Sequence, residues 1–427
     1  MSFKFEWNEF ADQPHNVAPR GERMKFHLRH AGGYLLLAGS NLRAAVPALR
    51  RYRRYRKALY ARPVEISNAF GLACSPAGER NEEVVRLLEE SGACLTLVRV
   101  PSWERGRLDA YQKFIESLRG RGFDCLVALL QNRNDVVDPS SWRLFLEDVF
   151  SRFSGSGLFF EIGHAWNRTK WGVWDFREYL GLARPAAELA VRYGVKIAGP
   201  AVIDFEFHLY PPVLRAVSFD AITSLLYVDR VGAPENAQFG WTTPKKAALL
   251  RAAVDVTPLR DRDLWITEVN WPLEGMGLYS PAPGKPCVSE VRQADYLVRY
   301  HILCLASGFV RRIYWWQLAA PGYGLVDNRE PAWRKRPAFE AFRTLARELE
   351  GSVFAGKAVH PRAEIFLFRR GGEEFAVGWT RKGAAAHVFP RPVRRIMDRD
   401  GRALDGALEP VAFEESPRYV FFRSSAV

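Results

Sequence analysis

Between residue 64 and about residue 347 the chain alternates between short runs that are apolar at nearly every position and longer stretches with helical periodicity. The runs are VEISNAFGLA (64–73), CLTLVRV (94–100), FDCLVALL (123–130), GLFFEIG (157–163), VKIAG (195–199), FDAITSLLYV (219–228), DLWITEV (263–269) and FVRRIYWWQL (309–318). They are short and rich in β-branched and aromatic residues, which predicts strands. Residues 79–91, 107–119, 141–151, 175–193, 243–254, 289–307 and 336–349 predict helices between them. Strands without polar alternation are covered on both faces, as in parallel sheets wrapped by helices. Eight of them with intervening helices predict an α/β fold, a closed (β/α)8 TIM barrel over residues 61–349. A doubly wound open sheet is disfavoured, because GLACSPAGER (71–80) follows the first strand without the spacing of a phosphate-binding glycine loop.

The pattern changes at both ends. AEIFLFRR, EEFAVGWT, AAHVFP, VRRIMDRDG and RYVFF, with turn residues between them, predict a C-terminal β-sandwich over 350–427. Residues 1–60 predict an extension in which FKFEW, MKFHLR and YLLLAG are short strands, the last two separated by Gly32 and Gly33. The segment LRAAVPALRRYRRYRKALYARP (42–63) is basic and partly helical by pattern. It is expected to dock on the body of the protein with its arginines in water. An apolar stripe lying on anionic lipid is the alternative.

Hydrophobic content of 48% and charged content of 26% fit a globular chain, and the formal charge of +13 favours anionic partners. No zinc-finger, helix-turn-helix or heptad pattern accompanies the charge, so nucleic acid is not an expected partner. The five cysteines, at 74, 94, 125, 287 and 304, form no CxxC pair. They predict buried free thiols and a reducing compartment. The sequence MSFKFEWNEF lacks a basic stretch followed by an apolar core, and no run approaches membrane-spanning length. Cytoplasmic residence is expected, with attachment to the inner membrane face as the alternative.

In such a barrel the chemistry gathers at the carboxyl ends of the strands. Those ends carry Arg99; Gln131, Asn132 and Asn134; Glu161, His164, Trp166 and Asn167; Glu206 and His208; Tyr227, Asp229 and Arg230; Glu268, Asn270 and Trp271; and Trp315, Trp316 and Gln317. In WITEVNWP (265–272) a strand tip delivers Glu268 between Trp265 and Trp271. A carboxylate beside aromatic faces is what a sugar-cleaving site needs, with Asn, Gln and Tyr side chains to take hydroxyls. The plainer expectation for Glu268 is an ion pair with Arg99. No serine sits in a GxSxG elbow. Glu161, His164 and Glu268 lack HExxH spacing, so neither metal nor cofactor is expected.

These segments carry a resemblance. WITEVNW, VRVPSW (98–103), KIAGPAV (196–202), YWWQL (314–318), GYGLVD (322–327) and RPAFEAF (336–342) resemble the clan A retaining glycoside hydrolases, which have catalytic glutamates on strands four and seven. The chain looks closest to the xylosidase and iduronidase-like family 39, over roughly residues 64–427. The resemblance implies that Glu268 is the nucleophile and that Arg99 supports it. It departs at strand four. Where that family shows Asn-Glu-Pro-Asn, this chain has His164-Ala165-Trp166-Asn167, so the acid/base position is Ala165. In SLLY (224–227), Leu226 stands where a histidine often precedes the tyrosine.

Retaining transfer needs a nucleophile and, for ordinary leaving groups, a proton donor about 5 Å away. His164 and Glu206 are the candidate donors, and Glu161 is more readily a buried structural carboxylate. An acidic leaving group, such as a phosphate, would need little protonation. The sequence therefore implies a glycoside-hydrolase-like enzyme, glycosidase or transglycosylase, with Glu268, His164 and Glu206 catalytic. The substrate would be an oligosaccharide or polysaccharide, anionic glycans included. The expected substrate-binding residues are Arg99, Asn132, Glu161, Trp166, Asn167, Tyr227, Asn270, Trp271, Trp315 and Gln317. The alternative is a non-catalytic glycan-binding or assembly protein of the same descent.

Overall fold

The computed structural model describes residues 6–14, 20–229, 232–280, 287–405 and 408–423; Arg230 lies outside them. Eight parallel strands close into a barrel. They are β1 (Phe70–Cys74), β2 (Leu95–Pro101), β3 (Asp124–Leu130), β4 (Phe159–Ile162), β5 (Lys196–Ile203), β6 (Ala221–Leu225), β7 (Leu264–Ile266) and β8 (Arg312–Trp315). β8 returns to β1 with Ile313 opposite Phe70 and Trp315 opposite Leu72. The barrel is two-faced, which is why its strands read as unbroken apolar runs. On β3, Leu126, Ala128 and Leu130 fill the interior while Cys125, Val127 and Leu129 pack under the helices. Gly71 is required by its neighbour: a Cβ there would lie 2.5 Å from the Tyr314 ring that plugs the barrel.

The covering helices start and stop on local signals. Helix Phe176–Tyr193 begins where the Asp175 side chain accepts a hydrogen bond from the Arg177 amide at 2.9 Å. It ends at Gly194, whose φ is 62°. Helix Pro337–Leu349 buries Phe339, Phe342, Leu345 and Leu349 on the barrel side, the i, i+3, i+6 and i+10 positions of one face.

The C-terminal domain is a six-stranded antiparallel sheet facing a two-stranded one, Ala385–His387 with Val411–Phe413. The larger sheet runs Val393–Met397, Arg418–Phe422, Glu373–Thr380, Ala363–Arg370, Ser352–Ala358, Val64–Ile66. Its last strand corrects the first predicted one. VEISNAFGLA is two strands: Val64–Ile66 pairs antiparallel with Ser352–Phe354, the chain turns at Asn68 with φ 52°, and only Phe70–Cys74 enters the barrel. A buried network ties the domains together. Glu235, in the loop after β6, accepts from Arg299 at 2.9 and 2.6 Å and from the Trp379 indole at 2.8 Å.

The amino-terminal strands are also corrected. MKFHLR and YLLLAG lie in helices α1 (Arg20–Arg29) and α2 (Ala31–Lys57). Their Leu, Ala, Met, Lys and Arg residues are strong helix formers, and Gly33 marks a close approach rather than a break. A Cβ at Gly33 would lie 2.7 Å from the side chains of Asp175 and Arg177. Residues 3–5 of the strand-like FKFEW lie outside the described residues; Trp7 and the following Asn8 pair with Gln13–Pro14.

Candidate active site at the barrel mouth

The alternation that fills the barrel also aims its strand ends. In β7, Trp265 and Thr267 point inward and Ile266 outward. Trp265 is therefore a deep core residue, against Phe159 at 4.8 Å and under Arg312, and does not wall the site as its neighbourhood in sequence suggests. Beyond the strand, Glu268, Asn270 and Trp271 reach a cavity of about 200 Å³. Arg99, His164, Tyr227, Trp171 and Trp316 line it from other strand ends.

Glu268 is buried and held on three sides. Arg99 ion-pairs with its Oε2. The Tyr227 hydroxyl donates to Oε1 at 2.6 Å. His164 Nε2 stands 3.2 Å from Oε2. Burial alone would raise its pKa, but Arg99 first, then His164 and Tyr227, pull it down to about 2. Glu268 is thus a carboxylate at any ordinary pH. Arg99 also lies 3.3 Å over the Trp316 ring, which fixes the guanidinium from below.

His164 is driven the other way. Burial and then Arg99 lower its pKa to about 4, so the ring is neutral near pH 7. Arg99 Nη2 lies 2.9 Å from Nε2. Nε2 thus sits between a guanidinium that can only donate and, at 3.2 Å, a Glu268 oxygen that can only accept. Nδ1 is buried with no partner among the described residues. Its backbone is held by Gln131, whose Oε1 accepts from the His164 amide at 2.8 Å and whose Nε2 donates to the His164 carbonyl at 3.0 Å. Gln131 is thus a scaffold for the strand-four loop. Ala165 lines the cavity with φ 42° and brings no acid.

The other expected site residues lie behind or beside the cavity. Glu161 is sealed in the barrel, accepting from Thr267 at 2.6 Å, and burial pushes its pKa up to about 7 against the Thr267 and Thr223 hydrogen bonds. Asn132 caps a short helix, accepting from the Asn134 amide at 2.7 Å. Trp166 points outward, stacked on Tyr179 at 4.5 Å with its indole on the Pro200 carbonyl. Asn167 staples the loop to β5 through the Ile203 amide and carbonyl at 2.9 and 3.0 Å. Trp315 is buried behind Trp271 at 5.9 Å, and Gln317 meets the Tyr323 hydroxyl at 3.4 Å. Glu206 sits on the rim, paired with Arg168, which also holds Asp204 at 2.6 Å.

The pattern of strand ends does not reveal the contribution of residues 6–14. This segment crosses the mouth and places Ala11, Asp12 and Gln13 in the cavity wall. Arg99 Nη1 donates to the Asp12 carbonyl at 3.3 Å and approaches Oδ2 at 3.5 Å. Burial raises the Asp12 pKa; Arg99 opposes this, and the charges of Glu268 and Glu104 add to it. Trp7 packs on Trp103 at 5.1 Å and on Trp171 at 6.0 Å, and Lys170 donates to Gln13. The sequence signal is faint: one tryptophan, one phenylalanine and three carboxylates (Glu6, Glu9 and Asp12) in a segment too short for periodicity.

No protein-family model matches this chain, and no curated protein does. Among solved structures, a family 39 glycoside hydrolase from the gut symbiont Bacteroides cellulosilyticus is similar with TM-score 0.66 at 15% identity, over 84% of this chain and 81% of that one. A family 51 arabinofuranosidase from Xanthomonas axonopodis pv. citri is similar with TM-score 0.59 at 13% identity, over 85% and 98%. A family 30 endoxylanase from Clostridium papyrosolvens is similar with TM-score 0.58 at 10% identity, over 85% and 98%. The likeness is one of fold, a glycoside-hydrolase-like barrel with an added β-domain.

Proposed function

We propose that the cavity binds a glycan and that Glu268 is the nucleophile of a retaining glycosyl transfer, cleaving or moving units of a polysaccharide or glycan precursor. The observation that carries this is a buried carboxylate, ionised by Arg99 and hydrogen-bonded by Tyr227, in a cavity walled by Trp171, Trp271 and Trp316. In the first step a Glu268 oxygen bonds the anomeric carbon while the bond to the leaving oxygen breaks. In the second, water or an acceptor hydroxyl bonds that carbon, loses a proton and releases Glu268.

Proton transfer falls to Asp12 in this reading. His164 is held at Nε2 between Arg99 and Glu268, and its Nδ1 is buried without a partner among the described residues. Glu206 and Asp204 are bound to Arg168. Asp12 lines the cavity beside Arg99, and burial raises its pKa, the direction a proton donor needs. The second reading, a non-catalytic glycan-binding or assembly protein, is favoured by Ala165, which leaves strand four without its acid.

A panel of aryl glycosides with good and poor leaving groups, with and without azide, separates these. Wild type should turn over both. Asp12→Asn should keep the activated substrates and lose the poor ones by roughly a hundredfold or more, the range of general acid catalysis, with azide intercepting the glycosyl-enzyme. Equal activity of Asp12→Asn on both classes removes Asp12 from proton transfer. Turnover that persists in Glu268→Ala removes the nucleophile assignment, and glycan binding without any turnover favours the second reading.

A further inference from the structure

Helix α2 is oriented by what it buries. Ala44 and Tyr52 are buried, Tyr52 lies 4.5 Å from Trp241, and Tyr55 packs on Phe309 at 5.1 Å with its hydroxyl donating to Asp255. This face docks on the barrel helix Thr243–Val254. The opposite face should then be polar, as on an ordinary surface helix. Instead Leu35, Leu42, Val46 and Leu49 are 75%, 76%, 56% and 45% exposed. At i, i+7, i+11 and i+14 they fall in one narrow stripe along the helix.

The charge on the same element is one-sided. α2 carries Arg43, Arg50, Arg51, Arg53, Arg54, Arg56 and Lys57 and no Asp or Glu. Arg43 and Arg50 flank the apolar stripe on one side, and Arg53 and Lys57 continue its line past Leu49. Arg43, Arg50, Arg53, Arg54 and Lys57 form no ion pair among the described residues. No helix of the described residues is long and apolar enough to cross a membrane.

We propose that this face of α2 is a docking surface for an anionic lipid bilayer, with the helix lying in the interface plane. Leu35, Leu42, Val46 and Leu49 enter the headgroup boundary and the flanking cations meet lipid phosphates. A second copy of the chain fits poorly. It would present the same seven cations with no carboxylate to answer them. The barrel docking on the other side holds the stripe outward, so no unfolding is needed to expose it.

Co-sedimentation of the full chain with vesicles tests this. Wild type should bind vesicles of phosphatidylcholine mixed with phosphatidylglycerol, bind pure phosphatidylcholine much more weakly, and lose affinity as salt rises. Replacing Leu35, Leu42, Val46 and Leu49 together by Ser should abolish binding. Replacing Arg50, Arg53 and Arg54 by Gln should lower the partition coefficient roughly a hundredfold. These residues are exposed, and an unchanged melting curve confirms that each variant folds. Equal binding to neutral vesicles, no binding by wild type, or undiminished binding by the Ser variant would overturn the proposal. So would a solution dimer that only the Ser variant dissolves, because the stripe would then belong to a second copy.

Discussion

Glu268 shows how position sets the chemistry of a side chain. Burial works against a carboxylate, and the charge survives because Arg99 meets it within the same desolvated mouth. The Tyr227 hydroxyl then holds Oε1 while Arg99 holds Oε2, so the carboxylate is fixed at both oxygens. Tyr227→Phe removes a hydrogen bond to a charged group, typically worth about 1.5–3 kcal/mol. Its kcat on activated aryl glycosides should fall about tenfold to a hundredfold with KM little changed; an unchanged kcat would mean that Tyr227 does not position the nucleophile.

Glu161 lies nearby in the reverse situation, with its pKa raised to about 7 from 4.5. Between those values the folded state holds a proton that the unfolded state releases. The stability Glu161 contributes is therefore complete below pH 4.5 and is lost as pH rises through 7. Glu161→Gln keeps an acceptor for Thr267 and removes the titration. Relative to wild type it should gain on the order of 3 kcal/mol between pH 4.5 and pH 8, measured as urea unfolding free energies at the two pH values. An equal difference at both would contradict the buried, protonated state.

At the scale of elements, sequence legibility followed periodicity. Eight apolar runs predicted eight barrel strands, because each strand is covered on both sides. Strand-end reading brought Arg99, His164, Tyr227, Glu268, Asn270 and Trp271 to one cavity. It did not distinguish them from Asn132, Trp166 and Asn167, which use the same loops to satisfy backbone groups. A loop residue one position on can face a helix instead of the mouth, and no period governs loops. The amino terminus was the least legible part: apolar runs of five or six residues fit strand or helix, and only docking decided for helix. That docking is testable. Tyr52→Ala opens a cavity against Trp241 and should cost about 3 kcal/mol in unfolding free energy. A loss below about 1 kcal/mol would show that α2 is not packed on the barrel in solution.

Across the whole molecule, the sandwich shares both chain and core with the barrel. Val64–Ile66 leaves for the distant sheet just before β1, and Glu235 reaches from the loop after β6 to Trp379 of the sandwich while pairing with Arg299. Glu235→Ala leaves a buried guanidinium without its partner, which should destabilise the protein by about 3–5 kcal/mol. Chemical denaturation reads this as a lower midpoint, and an unchanged midpoint would make the contact incidental. At the barrel mouth, Ala11, Asp12 and Gln13 add the amino-terminal segment to the cavity wall.

The central claim is that Glu268 is a working glycosyl nucleophile. The most direct measurement is covalent trapping: 2-deoxy-2-fluoro aryl glycosides of sugars that the protein binds, read by intact mass and peptide mapping. A glycosyl adduct on Glu268, absent from Glu268→Gln, is the predicted result. A bound sugar that leaves no adduct, or an adduct on another residue, would contradict it.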